Sequence, residues 1–470
     1  MSGQLPGRLP GRRIADRAVK KFGPGVILAV AAPLVTAIAL LVQAPADTQV
    51  DTATHEPTRH PLSAVDLACP PSSHGPVALA SAPTADGKTD GSLTWRVPGG
   101  DTRTPVTLAP GGTAQLPDGH ALLLHGEGAQ ARGLFGARFS SGRPSAAECA
   151  APAGVRWFVG AGSGAAHLST LTLANPDGGP AVADVTIWSI DGKLEQIESR
   201  GLTIPGGHVS MLPLERLAPN ANELAVRVVV ARGRLSSMLR DEYGDVGGPV
   251  RTDGLPATAT PARAQLLPAL TRKASSRVLT LVNPSGNEAR VKLQLVGARS
   301  TFTPTGLDEI RVPAGRVVVT DLTKALSSVI AEEDVALRLE STAPVAAGLR
   351  EIVAGDLVHH PAVALTDGST AAALPAAGTR SVVVSAGASS GQVTLTWTGV
   401  KDAPAVVRMA PGTTQAFDVP KGATAVVVSS KVEYVAAVRV LSSEGATVLP
   451  LRPLLTDLLV PSVRPAWPLQ

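Results

Sequence analysis

The sequence predicts an all-β protein, four tandem immunoglobulin-like β-sandwich repeats behind one N-terminal transmembrane helix. Three observations predict it. An uncharged apolar run spans Gly25 to Gln43, one strand-and-turn unit returns four times, and its strands alternate apolar and polar residues with scarcely any helical period.

The apolar run comes first. About 20 residues rising about 1.5 Å each cover about 30 Å, enough to cross a hydrocarbon core once. Arg8, Arg12, Arg13, Arg17, Lys20 and Lys21 precede it against one acid, Asp16, so the positive-inside rule keeps the flank cytoplasmic. Residues 1–23 are expected to form a basic cytoplasmic tail, 24–44 the anchor or uncleaved signal, and the rest of the chain an extracytoplasmic part of a single-pass cell-membrane protein. Ala44-Pro45-Ala46 also has the small-x-small form of a cleavage site, and cleavage near Ala46 would secrete the protein. The run exceeds the roughly 7–15 residues of an ordinary signal core, which favours the anchor.

The chain has 42 Lys and Arg against 38 Asp and Glu. Six of those bases and one acid precede residue 47, so the remainder is close to neutral. A nucleic-acid surface would need clustered positive charge in the folded part, and none is expected. At 470 residues, several domains are expected.

Asp47 to Pro61 mix Thr, Asp, Pro and His without hydrophobic period, as a tether would, and residues 45–68 are expected to be an extracytoplasmic linker. The two cysteines, Cys69 and Cys149, bracket the first repeat, and an oxidising compartment would pair them. Neither has His or acid neighbours at zinc-ligand spacing. No metal or other cofactor is expected.

The repeats occupy 69–150, 151–258, 259–370 and 371–445. The second and third share Leu171-Thr172-Leu173-Ala174-Asn175-Pro176-Asp177-Gly178 and Leu279-Thr280-Leu281-Val282-Asn283-Pro284-Ser285-Gly286. Pro rigidifies each turn, and the Gly is expected to accept a positive φ. Val291, Leu293 and Leu295 then alternate with Arg290, Lys292 and Gln294, as in a half-buried antiparallel strand. A second turn recurs at Pro110-Gly111-Gly112, Pro205-Gly206-Gly207, Pro313-Ala314-Gly315 and Pro411-Gly412-Thr413. Each copy closes with an apolar strand carrying one arginine: Arg138, Arg240, Arg350 and Arg439. Copies of about 100 residues suit sandwiches in a row. A β-propeller is the alternative, and would need two blades per copy. The Pro-rich tail 446–470 holds Leu459-Val460-Pro461, similar to the openings Leu266-Leu267-Pro268 and Ala373-Leu374-Pro375, and is expected to cap an exposed sheet edge.

The Leu-x-Leu-x-Asn-Pro turn, the Pro-Gly-Gly turn and the closing Leu-Arg strand, behind one N-terminal span, resemble an uncharacterised family of exported, single-span β-repeat proteins of actinobacteria, a domain of unknown function. The resemblance runs from about Cys69 to the C-terminus. It implies a cell-envelope setting and, because members are often encoded near a membrane glycosyltransferase, such an enzyme as partner. It brings no catalytic residues with it.

Few side chains point to chemistry. The recurrent Arg138, Arg240, Arg350 and Arg439 could bind a carboxylate or phosphate of a cell-wall polymer, or pair with local acids such as Asp241, Glu242 and Glu351 on the outer face of the sheet. Trp95 and Trp397 share parity with apolar neighbours and are expected in cores. Trp188 has the opposite parity to Val185 and Ile187, so either a bulge resets the register or its ring is an exposed platform for sugar. Gly387-Ala388-Ser389-Ser390-Gly391 matches the serine-hydrolase string, but an alternating strand follows where that chemistry needs a helix, so a hairpin loop is expected. His359 and His360, before Pro361, are expected in a loop, solvated or locally bonded, as are His120 and His125. The expected function is a non-catalytic, membrane-anchored scaffold or adaptor of the envelope. The alternatives are a glycan-binding array and, more remotely, a serine hydrolase.

Overall fold

The computed structural model describes residues 33–35, 58–71, 75–83, 90–140, 142–194, 199–244, 246–307, 309–330 and 333–460. Two compact units result, residues 59–459 and a unit made of 1–58 with 460–470. Of the apolar run only Pro33–Val35 are described; they are helical, with Leu34 and Val35 exposed. The rest of the span, its basic flank and the tail beyond Val460 lie outside the described residues. Among the described residues, no helix is long and apolar enough to cross a membrane.

The larger unit is all-β, its helical content nearly confined to Thr323–Ile330 and two 3-10 turns. Each repeat builds two half-sheets. In the second, Val155–Ala161, Leu224–Arg232 and Ala181–Ser189 form one, and His167–Ala174, Ser236–Tyr243 and Arg251–Leu255 form the other. Phe158, Val185 and Val226 of the first share a core with Leu171, Leu173 and Leu239 of the second. In the third and fourth repeats an 18-residue strand, Ala336–Val353 or Ala425–Ser442, belongs to both halves. Ala289–Val296 buries Val291, Leu293 and Leu295 and turns Arg290 and Lys292 outward, as its alternation requires.

The two recurrent turns are stitched together by the asparagine. Asn175 donates from Nδ2 to the carbonyls of Gly179 and Ile204 and accepts from the Asp177 amide at 3.0 Å. Asn283 repeats this with Asn287, Val312 and Ser285. Positive φ belongs to the second turn, at Gly207 and Gly315, where a Cβ would be strained. Gly178 and Gly286 do not adopt it, because the asparagine side chain already shapes that turn.

The repeats do not stand in a row. After each arginine-bearing strand comes a short inner strand: Ala146–Glu148, Arg251–Leu255, Asp356–Pro361 and Gly445–Pro450. Each touches the next, and the fourth touches the first, so four modules close a propeller-like ring. The ring has one module per copy, not the two blades the alternative required. Contact is close: a Cβ on Gly254 would lie 2.4 Å from the Ala146 carbonyl oxygen. Apolar clusters seal the joints, Ala68, Leu123, Ala150, Ala174 and Met238 between modules 1 and 2, and Val353, Val358, Val383, Ala437 and Val448 between 3 and 4.

Boundaries move accordingly. Ala64–Cys69 is already a strand of module 1, and Gly445–Pro450 is an integral strand of module 4, paired with Ala437–Ser442. The following segment closes the ring on module 1. Arg452 holds Glu148 at 2.6 and 3.0 Å, and the Gly133 amide donates to Leu455. Arg452–Pro453 lines the edge of Thr366–Ala373. The last described strand, Asp457–Val460, pairs with the first, Thr58–Pro61. Cys69 and Cys149 are bonded at 2.05 Å.

Candidate functional site

The ring consumes most of the polar side chains singled out in the sequence. Trp188 needs no bulge to explain its parity: it faces away from the core of its own module, and module 3 covers that face. Its ring is 4% exposed and stacks on Trp157 at 5.1 Å, in a cluster with Val282, Val317 and Ala346. It offers no sugar platform. Trp397 is in the module 4 core and Trp95 packs partly buried against that of module 1, as expected.

Three of the four recurrent arginines are buried. Arg350 reaches module 2, where it pairs with Glu223 at 2.7 Å, meets His167 Nδ1 at 3.2 Å and lies 4.2 Å from the Tyr243 ring centroid. Arg439 reaches module 3, pairing with Asp334 at 2.8 Å. Arg138 donates to the carbonyls of Pro70, Gly75, Pro117 and His120. Only Arg240 keeps to a local acid, Glu242, and stays about half exposed. The outer-face pairing expected for all four is thus limited to one, because the outer faces are joints.

His359 and His360 lie on a strand, not a loop, and both are buried. They face opposite sides, as strand neighbours must. His360 Nε2 is 2.9 Å from Glu351, which also takes Arg277 Nε at 2.9 Å. His359 Nε2 is 2.9 Å from Asp241, which also receives His167 Nε2 at 3.0 Å and the Ser169 hydroxyl. Burial opposes charge on Asp241, but the two histidines hold its carboxyl well below the ordinary range. Burial likewise opposes charge on His167, and Asp241 nevertheless raises its pKa; His359 is pushed down by burial. His125 pairs with Asp66 at 2.8 Å and with Glu127 at 3.1 Å, and His120 is exposed. Ser389 sits in an exposed loop that crosses from one half-sheet of module 4 to the other, and the next strand, Gly391–Thr398, leaves no elbow. Among the described residues no cluster of three metal-ligating side chains forms.

A cavity of about 490 Å³ opens between modules 1 and 2 and runs to the inner strands. Arg138, Arg143, Arg240 and Arg251 line it, with Asp253 and Asp356. Asp253 is buried and accepts from the Ala146 and Gly254 amides and from the Thr447 hydroxyl, joining modules 1, 2 and 4. Burial, with Asp356 beside it, holds its carboxyl well above the usual range. Burial pushes Asp356 up to about 6. Neither acid was legible as a site residue. The available signal was positional: each inner strand follows an arginine strand and runs into a proline, at Pro152, Pro256, Pro361 and Pro450.

Residues 141–419 match the family of unknown function DUF5719, more than half of the chain. The chain belongs to this family. The DUF5719 match runs from the hairpin that leads into the first inner strand to the strand before the long one of module 4. No curated protein matches the chain. A solved structure it does match is an α-L-rhamnosidase of Streptomyces avermitilis complexed with L-rhamnose, at 9% identity and a TM-score of 0.11, over 80% of this chain and 54% of that one. The chain spans about half the length of that structure, and a score so low bears on neither the fold nor the activity of this DUF5719 protein.

Proposed function

We propose that this DUF5719 protein is a non-catalytic scaffold or adaptor of the cell envelope. In this reading the run Gly25–Gln43 is a transmembrane helix, the basic flank stays in the cytoplasm, and the four modules, each an immunoglobulin-like two-layer sandwich, are displayed outside the membrane. The observation that carries the reading is the use of the recurrent arginines. Arg350–Glu223 joins module 3 to module 2 and Arg439–Asp334 joins module 4 to module 3, which suits a stiff platform with a wide rim for protein contacts. A stiff presenter loses little conformational freedom on binding.

The proposed partner is a membrane glycosyltransferase or a cell-wall polymer, on the strength of the resemblance alone. Photo-crosslinking in intact cells from positions on the rim, such as Val406, tests it. Recovery of an envelope enzyme or wall fragment is the expected result, and a ring that yields no adduct sinks the proposal. A reporter fused to the C-terminus checks the topology and should be extracytoplasmic. The alternative of a glycan-binding array is not supported by Trp188, which is buried.

A further inference from the structure

The cavity between modules 1 and 2 has features that packing does not explain. The joints of modules 2 with 3 and 3 with 4 are bridged by the ion pairs Arg350–Glu223 and Arg439–Asp334. Here Ser237 and Asp356 are among the lining residues, and the Ser237 hydroxyl and Asp356 Oδ2 are buried with no hydrogen-bond partner among the described residues. Buried polar groups left without partners destabilise a fold. Such groups are retained where something else completes them.

The walls carry an excess of positive charge. Arg138 is fixed by backbone carbonyls alone. Arg143 has only a loose contact with Glu444 at 3.9 Å, and both are about half exposed or more. Arg251 gives its Nε to the Gly355 carbonyl, which leaves its terminal nitrogens for another acceptor. Arg240 shares one nitrogen with Glu242. The one other acid of the wall, Glu148, is neutralised by Arg452 in bidentate geometry. The two axial carboxyls hold their protons more tightly than ordinary acids, so they add little negative charge in mildly acidic surroundings and can donate as well as accept. At about 490 Å³ the space suits a ligand the size of one or two sugar rings.

We propose that this cavity is a binding site for an anionic saccharide, a sugar bearing a phosphate or carboxylate. Arg240, Arg251 and Arg143 take the anion, guanidinium forks being matched to both groups. Ser237 and Asp356 take ring hydroxyls at the inner end. Arg138, held in place by backbone carbonyls, contributes mainly a fixed charge. The site is independent of whether the ring also serves as a scaffold.

The purified extracytoplasmic chain is titrated with glucose 6-phosphate, glucuronate, glucose and inorganic phosphate, by calorimetry and by thermal shift. The proposal expects at least one anionic sugar to bind and to raise the melting temperature, with glucose and inorganic phosphate each binding about tenfold more weakly or less. The first two arms separate phosphate from carboxylate recognition. Arg240→Gln and Arg251→Gln should each weaken binding about tenfold, and Ser237→Ala by less. Arg290→Gln, on an exposed strand of module 3, should leave it unchanged. Melting curves of the ligand-free variants show that each is folded. Failure of both anionic sugars to bind, an equal response to glucose, or full binding by folded Arg240→Gln and Arg251→Gln overturns the proposal.

Discussion

At the scale of single residues, the ring is held by charges that water does not reach. Removing one partner of a buried pair leaves the other charge stranded, typically at a cost of about 3–5 kcal/mol. Arg350→Met should therefore destabilise strongly by urea unfolding, while Arg350→Met with Glu223→Leu recovers most of the loss. Arg240→Ala should cost under about 1 kcal/mol, since its pair with Glu242 is open to solvent. The axial acids predict the opposite of the usual carboxylate behaviour. Asp356 faces Asp253, Arg143, Arg251 and Glu444, and its folded pKa of about 6 lies above the ordinary 3.8. The folded chain then binds more protons than the unfolded one, so this contribution is complete below about pH 4 and is lost as the pH rises through 6. Melting temperatures of Asp356→Asn and the parent should draw apart in favour of the variant between pH 4 and 7.5. A constant difference across that range would refute the assignment.

At the scale of elements, local pattern was a good guide and contact between modules was not. The alternation around Val291 and the paired Asn-Pro and Pro-Gly turns were legible because each signal spans a few residues and reflects one strand or one turn. The cysteine bridge was legible from compartment and count. Trp188 was misread because a face turned away from its own core looks solvent-exposed in sequence, whether water or another module lies beyond it, and His359 because the following Pro361 made a buried strand look like a loop. Arg350 meets His167 across 183 positions and His359 meets Asp241 across 118, and no periodicity marks such pairs. The tail was expected to cap an edge, and Arg452–Pro453 does line the edge of Thr366–Ala373, while Gly445–Pro450 is an inner strand and Arg452 a clasp on module 1. Truncation after Ser442 removes both and exposes unpaired strand. Size-exclusion chromatography should show aggregates, and a stable monomer would contradict the role given to this segment.

At the scale of the whole molecule, closure makes the four modules interdependent, and the first and fourth meet through this clasp, their inner strands and the cluster of Phe139 and Ala146 with the core of module 4. The Cys69–Cys149 bridge closes a span of 80 residues within module 1. On the chain-entropy account its reduction costs about 4–5 kcal/mol, so a reductant should lower the melting temperature of the entire ring in one transition. A separate early transition would mean that module 1 melts alone. The direction of the cross-module pairs also bears on assembly. Arg350 and Arg439 each reach back toward the N-terminus, to acids in modules already synthesised. Glu223 therefore waits at a growing end until module 3 brings its cation, whereas Asp334 already meets Arg272 of its own module at 3.0 Å. A nascent intermediate ends in an unmatched carboxylate where a finished ring presents a seam, and that open half-joint is the part of the growing chain most exposed to misassociation.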